Sequence, residues 1–167
     1  MLLNHRLGRT LVGAAVAAAF LMAAASPLSA QTTSASVSGI VKEVMAELGA
    51  RTGRRLDLVT YSGAPDAERV ILIMGSGTGA AQETVETLVA RGEKVGMVQV
   101  RLFQPFPVQE LVAALPPTVT SIAVLDRCKE PGAVGDPFYL EVVAAIDEAM
   151  DSGDAPFSVR PRIVGGR

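Results

Sequence analysis

Val124-Leu-Asp-Arg-Cys-Lys-Glu-Pro-Gly-Ala-Val-Gly-Asp-Pro-Phe-Tyr139 decides the fold. An apolar run ends in a charged, glycine-punctuated loop that leads straight into a helical pattern. That is the sequence of a buried strand, a loop at its carboxyl end and the following helix. The same grammar recurs upstream. Val70-Ile-Leu-Ile-Met74 is a short continuous apolar run, as expected of a strand covered on both faces. It is followed by a glycine-rich turn and a helix from Thr78 to Arg91, with Ala81, Val85, Leu88 and Val89 toward the sheet.

Further strands are expected over Lys94–Leu102, Ser121–Asp126 and Arg162–Val164, with a short extended piece over Leu56–Tyr61. Helices are expected over Val108–Leu115, where Pro116-Pro117 stops the pattern, and over Phe138–Met150. An earlier helix carries Ile40, Val41, Val44, Met45 and Leu48 at helical spacing, with Lys42, Glu43 and Glu47 on its other face and Gly53 at its end. Alternating strands and helices predict an α/β three-layer sandwich with a mostly parallel sheet and right-handed crossovers.

A chain of 167 residues that is 49% hydrophobic and 19% charged has material for one substantial core. With no Trp, that core rests on Val, Ile, Leu, Ala and Met. The net charge of -2 and the lack of a basic stripe argue against a nucleic-acid partner. One Cys and one His exclude a disulfide framework, a Cys-rich zinc site and a four-cysteine iron–sulfur cluster built from this chain. No metal site is therefore expected here.

Residues 1–30 read differently. Arg6 and Arg9 precede an uncharged, Ala-rich run from Leu11 to Ala25, and Ser26-Pro-Leu-Ser-Ala30 supplies small residues before Gln31. This is the layout of a secretory leader. The run is shorter than the ~20 residues a spanning helix needs, so a permanent membrane anchor is not expected. Residues 31–38 read as a linker, and 39–167 as the folded domain. Removing 1–30 takes away two Arg and no acid, moving the net charge from -2 to -4.

Ligands and partners of such sheets meet the loops at the carboxyl ends of the strands. Three loops qualify. Gly75, Gly77 and Ala80 satisfy a G-x-G-x-x-[GA] pattern, which makes Gly75, Ser76, Gly77 and Thr78 weak cofactor-binding candidates. The next strand ends in Val100-Arg101 and lacks the acid that would hold a ribose; Arg101 would suit a 2′-phosphate. A tight turn packing on a neighbouring domain explains the same glycines. In the second loop, Arg101 to Pro107, prolines fix an irregular path and Phe103 and Phe106 offer apolar anchors. It caps the core or contacts another domain.

The third loop carries Asp126, Arg127, Lys129 and Glu130, either a salt-bridged interface or a cradle for a phosphate-bearing ligand. Cys128 lies between two basic neighbours but reads as a small, semi-buried filler. No catalytic residue is expected: the only His, His5, falls in the leader.

The 124–139 stretch, together with Gly63-Ala-Pro-Asp-Ala-Glu-Arg-Val-Ile-Leu-Ile-Met-Gly-Ser-Gly77 and Pro161-Arg-Ile-Val-Gly-Gly-Arg167, resembles domain II of the pyruvate:ferredoxin (flavodoxin) oxidoreductases, a region similar to the transketolase C-terminal domain. The resemblance covers about residues 39–167. Arg101, Pro105 and Phe106 fit an Arg-x-x-x-Pro-Phe turn common in that group, and Thr is more usual where Cys128 stands.

It implies a structural and interface domain of a longer enzyme. That enzyme decarboxylates pyruvate on thiamine diphosphate, forms acetyl-coenzyme A, and passes electrons through iron–sulfur clusters to ferredoxin or flavodoxin. Arg101, Phe103, Pro105, Phe106, Asp126, Arg127, Lys129 and Glu130 are the expected interface toward the remaining domains or subunits. The thiamine and cluster motifs are not in this chain, which alone should be inactive. The resemblance also implies a further segment and helix after Gly-Gly-Arg, so that a sheet face is expected to be exposed and the domain truncated at that end. It implies the cytoplasm, whereas the leader implies export. The rival reading is an exported small α/β module that binds a phosphate-bearing or dinucleotide ligand at Gly75–Ala80; a third is a fragment with no function.

Overall fold

The structure, a computed structural model, describes residues 26–166. Its elements in chain order are α1 (Ser26–Thr52), β1 (Val59–Gly63), β2 (Arg69–Ile73), α2 (Thr78–Ala90), β3 (Val95–Val100), α3 (Val108–Ala114), β4 (Ser121–Leu125), α4 (Pro137–Ser152) and β5 (Arg162–Gly166). A 3-10 turn over Gly75–Gly77 joins β2 to α2. The chain divides after Ile40 into two units. Of the first, residues 26–40 are described, and all are helical.

One five-stranded sheet has the order β1-β3-β2-β4-β5. Strand β2 lies at its centre, parallel to β3 (Arg69 opposite Val95) and to β4 (Arg69 opposite Ser121). β5 continues the parallel set (Ser121 opposite Arg162), whereas β1 runs antiparallel to β3 (Val59 opposite Val100). The antiparallel edge is the one departure from strand–helix–strand repetition. The β1–β2 connection carries no helix to act as a crossover.

Period-two alternation sorts the strands' side chains onto two faces. Val70, Leu72, Val98, Val100, Ile122 and Val124 share one core with Leu111 of α3 and with Phe138, Val142, Ala145 and Ile146 of α4. Ile73 and Met97 join Val85 of α2 on the opposite face, with Ile71, Ala81, Val89, Val95 and Leu125 packed around them. Helices therefore cover both faces, and the three-layer α/β architecture expected from the sequence is the one observed. Beside α2 the second face keeps an open apolar groove, lined by Ile71, Ala123 and Leu125 among others.

The sequence of α4 accounts for its extent. Phe138, Val142, Ala145, Ile146 and Ala149 recur every three or four residues and are all buried. Pro137 occupies the first helical position, where its missing N–H costs nothing. Gly153, at φ +80°, ends the helix in the left-handed conformation that glycine adopts most readily.

Three features of α1 differ from the sequence reading. Residues 31–38, read as a linker, are helical and continuous with the remainder of α1. No Gly or Pro interrupts the chain from Leu28 to Ser38, so a helix that forms at all propagates through it. The apolar pattern of α1 is also wider than the surface it packs on. Val41 and Met45 meet the core, but Ile40, Val44 and Leu48 are half exposed or more. Lys42, expected on the solvent face, instead pairs with Glu110 of α3. Burial alone would raise the Glu110 carboxyl, yet the Lys42 hydrogen bond and charge, with its own backbone N–H, hold it below its ordinary value. The expected leader lies mostly outside the described residues. Among those described, no helix is long and apolar enough to cross a membrane.

Candidate functional site

Strand β2 passes its chain to α2 on one face of the sheet, while β3 and β4 pass theirs to α3 and α4 on the other. Where neighbouring connections part in this way, the carboxyl edge of the sheet opens into a crevice. A cavity of about 540 Å³ lies there. Met74 and Gly75 line it just past β2; Gln99, Arg101 and Phe103 from the end of β3 and the loop after it; Leu125 to Cys128 from the end of β4 and the loop after it; and Pro137 and Phe138 from α4. The three loops singled out from the sequence therefore converge on one space.

The first loop is engaged internally. Gly75 takes φ +79°, which requires glycine for conformational reasons before any ligand is considered. Thr78 donates its hydroxyl to the Gly75 carbonyl at 2.9 Å, and Gln99 donates to Thr78 at 3.3 Å. Ser76 accepts a hydrogen bond from Arg127, whose guanidinium lies across Gly75. The first and third loops are thus clasped by one side chain, an arrangement no local pattern announces.

Arg101 is held rather than free. It donates to Gln99 Oε1 at 2.6 Å, to Thr60 Oγ1 at 2.6 Å and to the Asp57 carbonyl at 2.9 Å. These bonds tie β1 to β3 and use donors that a 2′-phosphate would need. Phe103 and Phe106 pack on the core, and Phe106 tilts against Phe138 with ring centroids 6.2 Å apart. The Gln104–Pro105 peptide that separates them is cis.

The third loop differs most from expectation. Its four charges form no salt bridge with one another among the described residues. Asp126 accepts instead from three backbone N–H groups: Cys128 at 3.1 Å, Phe138 at 2.7 Å and Tyr139 at 3.3 Å. The last two belong to the first turn of α4, so a carboxylate on the end of β4 caps a helix twelve residues later. Asp136, the residue next to Pro137, has the sequence position of a cap but makes no side-chain cap bond. Its buried carboxylate accepts from the Glu130 N–H at 3.2 Å and pins the returning limb of the loop.

Between these anchors the loop is exposed, with Val134 at 96%. Lys129 and Glu130 are exposed as well. So is Cys128, read from the sequence as semi-buried: it lies just past the strand end, where the Asp126 bond turns the chain outward.

Gln99, Thr60 and Asp136 had no place among the sequence candidates. Asp136-Pro137 carried a helix-start signal that could have drawn notice. Gln99 and Thr60 carried none, because their roles depend on strand pairing.

The donor set does not fit the metal groups of the implied enzyme. A single Cys cannot hold an iron–sulfur cluster. Among the described residues, no three His, Cys, Asp or Glu converge to hold an ion. The cavity sets apolar side chains beside Arg101, Asp126 and Arg127, suited to a small ligand or to a side chain of another domain.

Comparison with known proteins places the chain in a family. The family model for pyruvate:ferredoxin oxidoreductase core domain II matches residues 67–166. A pyruvate-flavodoxin oxidoreductase of Rhodospirillum rubrum is 56% identical over 128 residues, 77% of this chain and 11% of the relative. One of Nostoc is 50% identical over 133 residues, again 77% and 11%. A pyruvate:ferredoxin oxidoreductase of Moorella thermoacetica is 51% identical over 110 residues, 66% of this chain and 9% of that protein. The chain therefore spans about a tenth of the length of the curated relatives it matches. It belongs to the pyruvate:ferredoxin oxidoreductase family, as a core domain II.

Proposed function

We propose that the chain serves as the core-domain-II part of an oxidoreductase that oxidatively decarboxylates pyruvate to acetyl-coenzyme A and passes electrons to ferredoxin or flavodoxin. Its own share is architectural. The carboxyl-edge residues Arg101, Phe103, Pro105, Phe106, Asp126, Arg127, Lys129 and Glu130 form a contact surface for the other domains or subunits. Thiamine diphosphate, iron–sulfur clusters and coenzyme A are held outside this chain in that reading, and residues 39–167 are the domain proper. The observation that carries it is the identity of about half to relatives named for this activity, confined to about a tenth of their length.

A loop tied at both ends by Asp126 and Asp136, with its middle exposed, supports the contact role. A surface ordered before binding forfeits less conformational entropy when it docks.

A chimera tests this. Residues 40–167 replace the matching region of the Rhodospirillum rubrum enzyme, and pyruvate- and coenzyme-A-dependent flavodoxin reduction is measured. The expected result is an active chimera beside an inactive isolated chain. A soluble chimera that is loaded with its cofactors yet inactive would count against the reading. The rival, a nucleotide module at Gly75–Ala80, predicts saturable NADP binding by the isolated chain.

A further inference from the structure

We infer that the cavity at the carboxyl edge is a binding site for a small carboxylate with a flat apolar body, such as an aryl carboxylate. Two guanidinium groups line it, and neither forms an ion pair among the described residues. Among the described residues Arg101 bonds to a carbonyl, a hydroxyl and an amide oxygen, and Arg127 to the Ser76 hydroxyl. Asp126 is the one acid among the lining residues, and three backbone N–H groups, two of them at the N-terminus of α4, converge on it. Two cations against one anion leave the lining at +1.

Apart from Gln99 and Cys128 the rest of the wall is apolar, with Met74, Phe103, Leu125 and Phe138 as its large side chains. A volume of about 540 Å³ lies in the range of small-molecule sites, which pair mostly apolar walls with a few placed polar groups. Arg127 is exposed and its partner is a neutral hydroxyl, so exchanging Ser76 for a carboxylate replaces a single bond to an uncharged acceptor with a bidentate pair between opposite charges. Phosphate alone would leave the apolar wall unfilled, and a neutral ring would leave the guanidinium unpaired. Arg101, Phe103, Asp126 and Arg127 also belong to the proposed contact surface, so the inference requires that neighbouring domains leave this cavity open, which the chimera tests.

The test is an amide NMR titration of the full chain with 3-phenylpropionate, with 3-phenylpropanol (body without charge) and acetate (charge without body) as controls. A ligand of this size is expected to bind with Kd of about 1 mM. Shifts should be confined to the amides of Gly75, Arg127, Cys128 and Phe138. Arg127→Gln should weaken binding about tenfold, and Arg127→Lys less, since lysine keeps the charge but loses the planar fork.

No saturable shift up to ~10 mM would overturn the inference. So would equal binding of the alcohol, which would dismiss the guanidinium, or of acetate, which would dismiss the wall. The chimera supplies a further arm. Binding by the isolated chain but not by the chimera would identify the cavity as a socket filled by the longer polypeptide, and would overturn its assignment as a ligand site.

Discussion

Replacing Asp126 by Ala should weaken the domain out of proportion to a single residue in a loop. The carboxylate accepts two N–H groups in the first turn of α4, one of them at 2.7 Å, and a third at Cys128. Loss of a helix cap costs about 1 kcal/mol, and loss of negative charge at a helix N-terminus about 0.5–1 kcal/mol. A part-buried N–H left without an acceptor costs about 1–3 kcal/mol. These effects overlap, because they concern the same oxygens, and their joint size is about 2–3 kcal/mol.

Asp126→Asn keeps one acceptor and removes the charge, so it should cost about 1 kcal/mol. For a domain of this size, Asp126→Ala should melt roughly 6–15 °C lower. Urea denaturation followed by circular dichroism gives the stabilities, and hydrogen exchange of the Phe138 and Tyr139 amides gives the site. Both amides should lose protection in the Ala variant. Asp126→Ala within ~0.5 kcal/mol of the parent, or unchanged exchange at both amides, would refute the long-range cap.

Gly75→Ala should cost about 1–2 kcal/mol through its φ of +79° alone, since the added Cβ meets Arg127 at an ordinary 3.8 Å; thermal melting measures it. Gly96→Ala should be worse, by more than about 2 kcal/mol, because its Cβ would press into the Tyr61 ring, 2.7 Å from Cζ. Adding Tyr61→Ala should recover part of that loss, a non-additivity that a double-mutant cycle detects. Glu110→Gln tests the Lys42 pair. The folded carboxyl titrates below its ordinary value of 4.5, so its contribution is complete above that pH and disappears as pH falls through the folded value. The variant should flatten the stability–pH curve between about pH 5 and 3, with an effect below ~1 kcal/mol at neutral pH because Lys42 is half exposed.

The reach of the sequence can be judged residue by residue. Val70–Ile73 and Ser121–Leu125 were legible as buried strands because continuous apolar runs bounded by turns have few other readings. Helix α4 was legible from the helical pattern that follows the charged loop. The span of α1 was not, because the Ser- and Thr-rich 31–38 stretch has weak preferences and adopts whatever its neighbours propagate.

At the site, the three loops meet at one edge, and the cap formed by Asp126 was not legible. A run of alternating signs looks like a salt-bridged cluster, but the strongest acceptor partners of Asp126 are backbone N–H groups of α4, brought close only by the fold. Arg127 likewise finds Ser76 fifty-one positions away. Contacts of that separation leave no local imprint in a single sequence.

Strand β2 is the sole bridge between the two halves of the sheet: β1 and β3 lie on one side of it, β4 and β5 on the other. Neither half can be hydrogen-bonded to the other until this strand is in place, and its partners lie about 25 and 50 positions downstream. Ordering β2 therefore comes late relative to local helix formation, and the closure entropy of both loops falls on that step. Once formed, β2 should be the last part of the domain to open. Its amides from Val70 to Ile73 should exchange only through global unfolding, while β5, secured on one side alone, exchanges by fraying from the sheet.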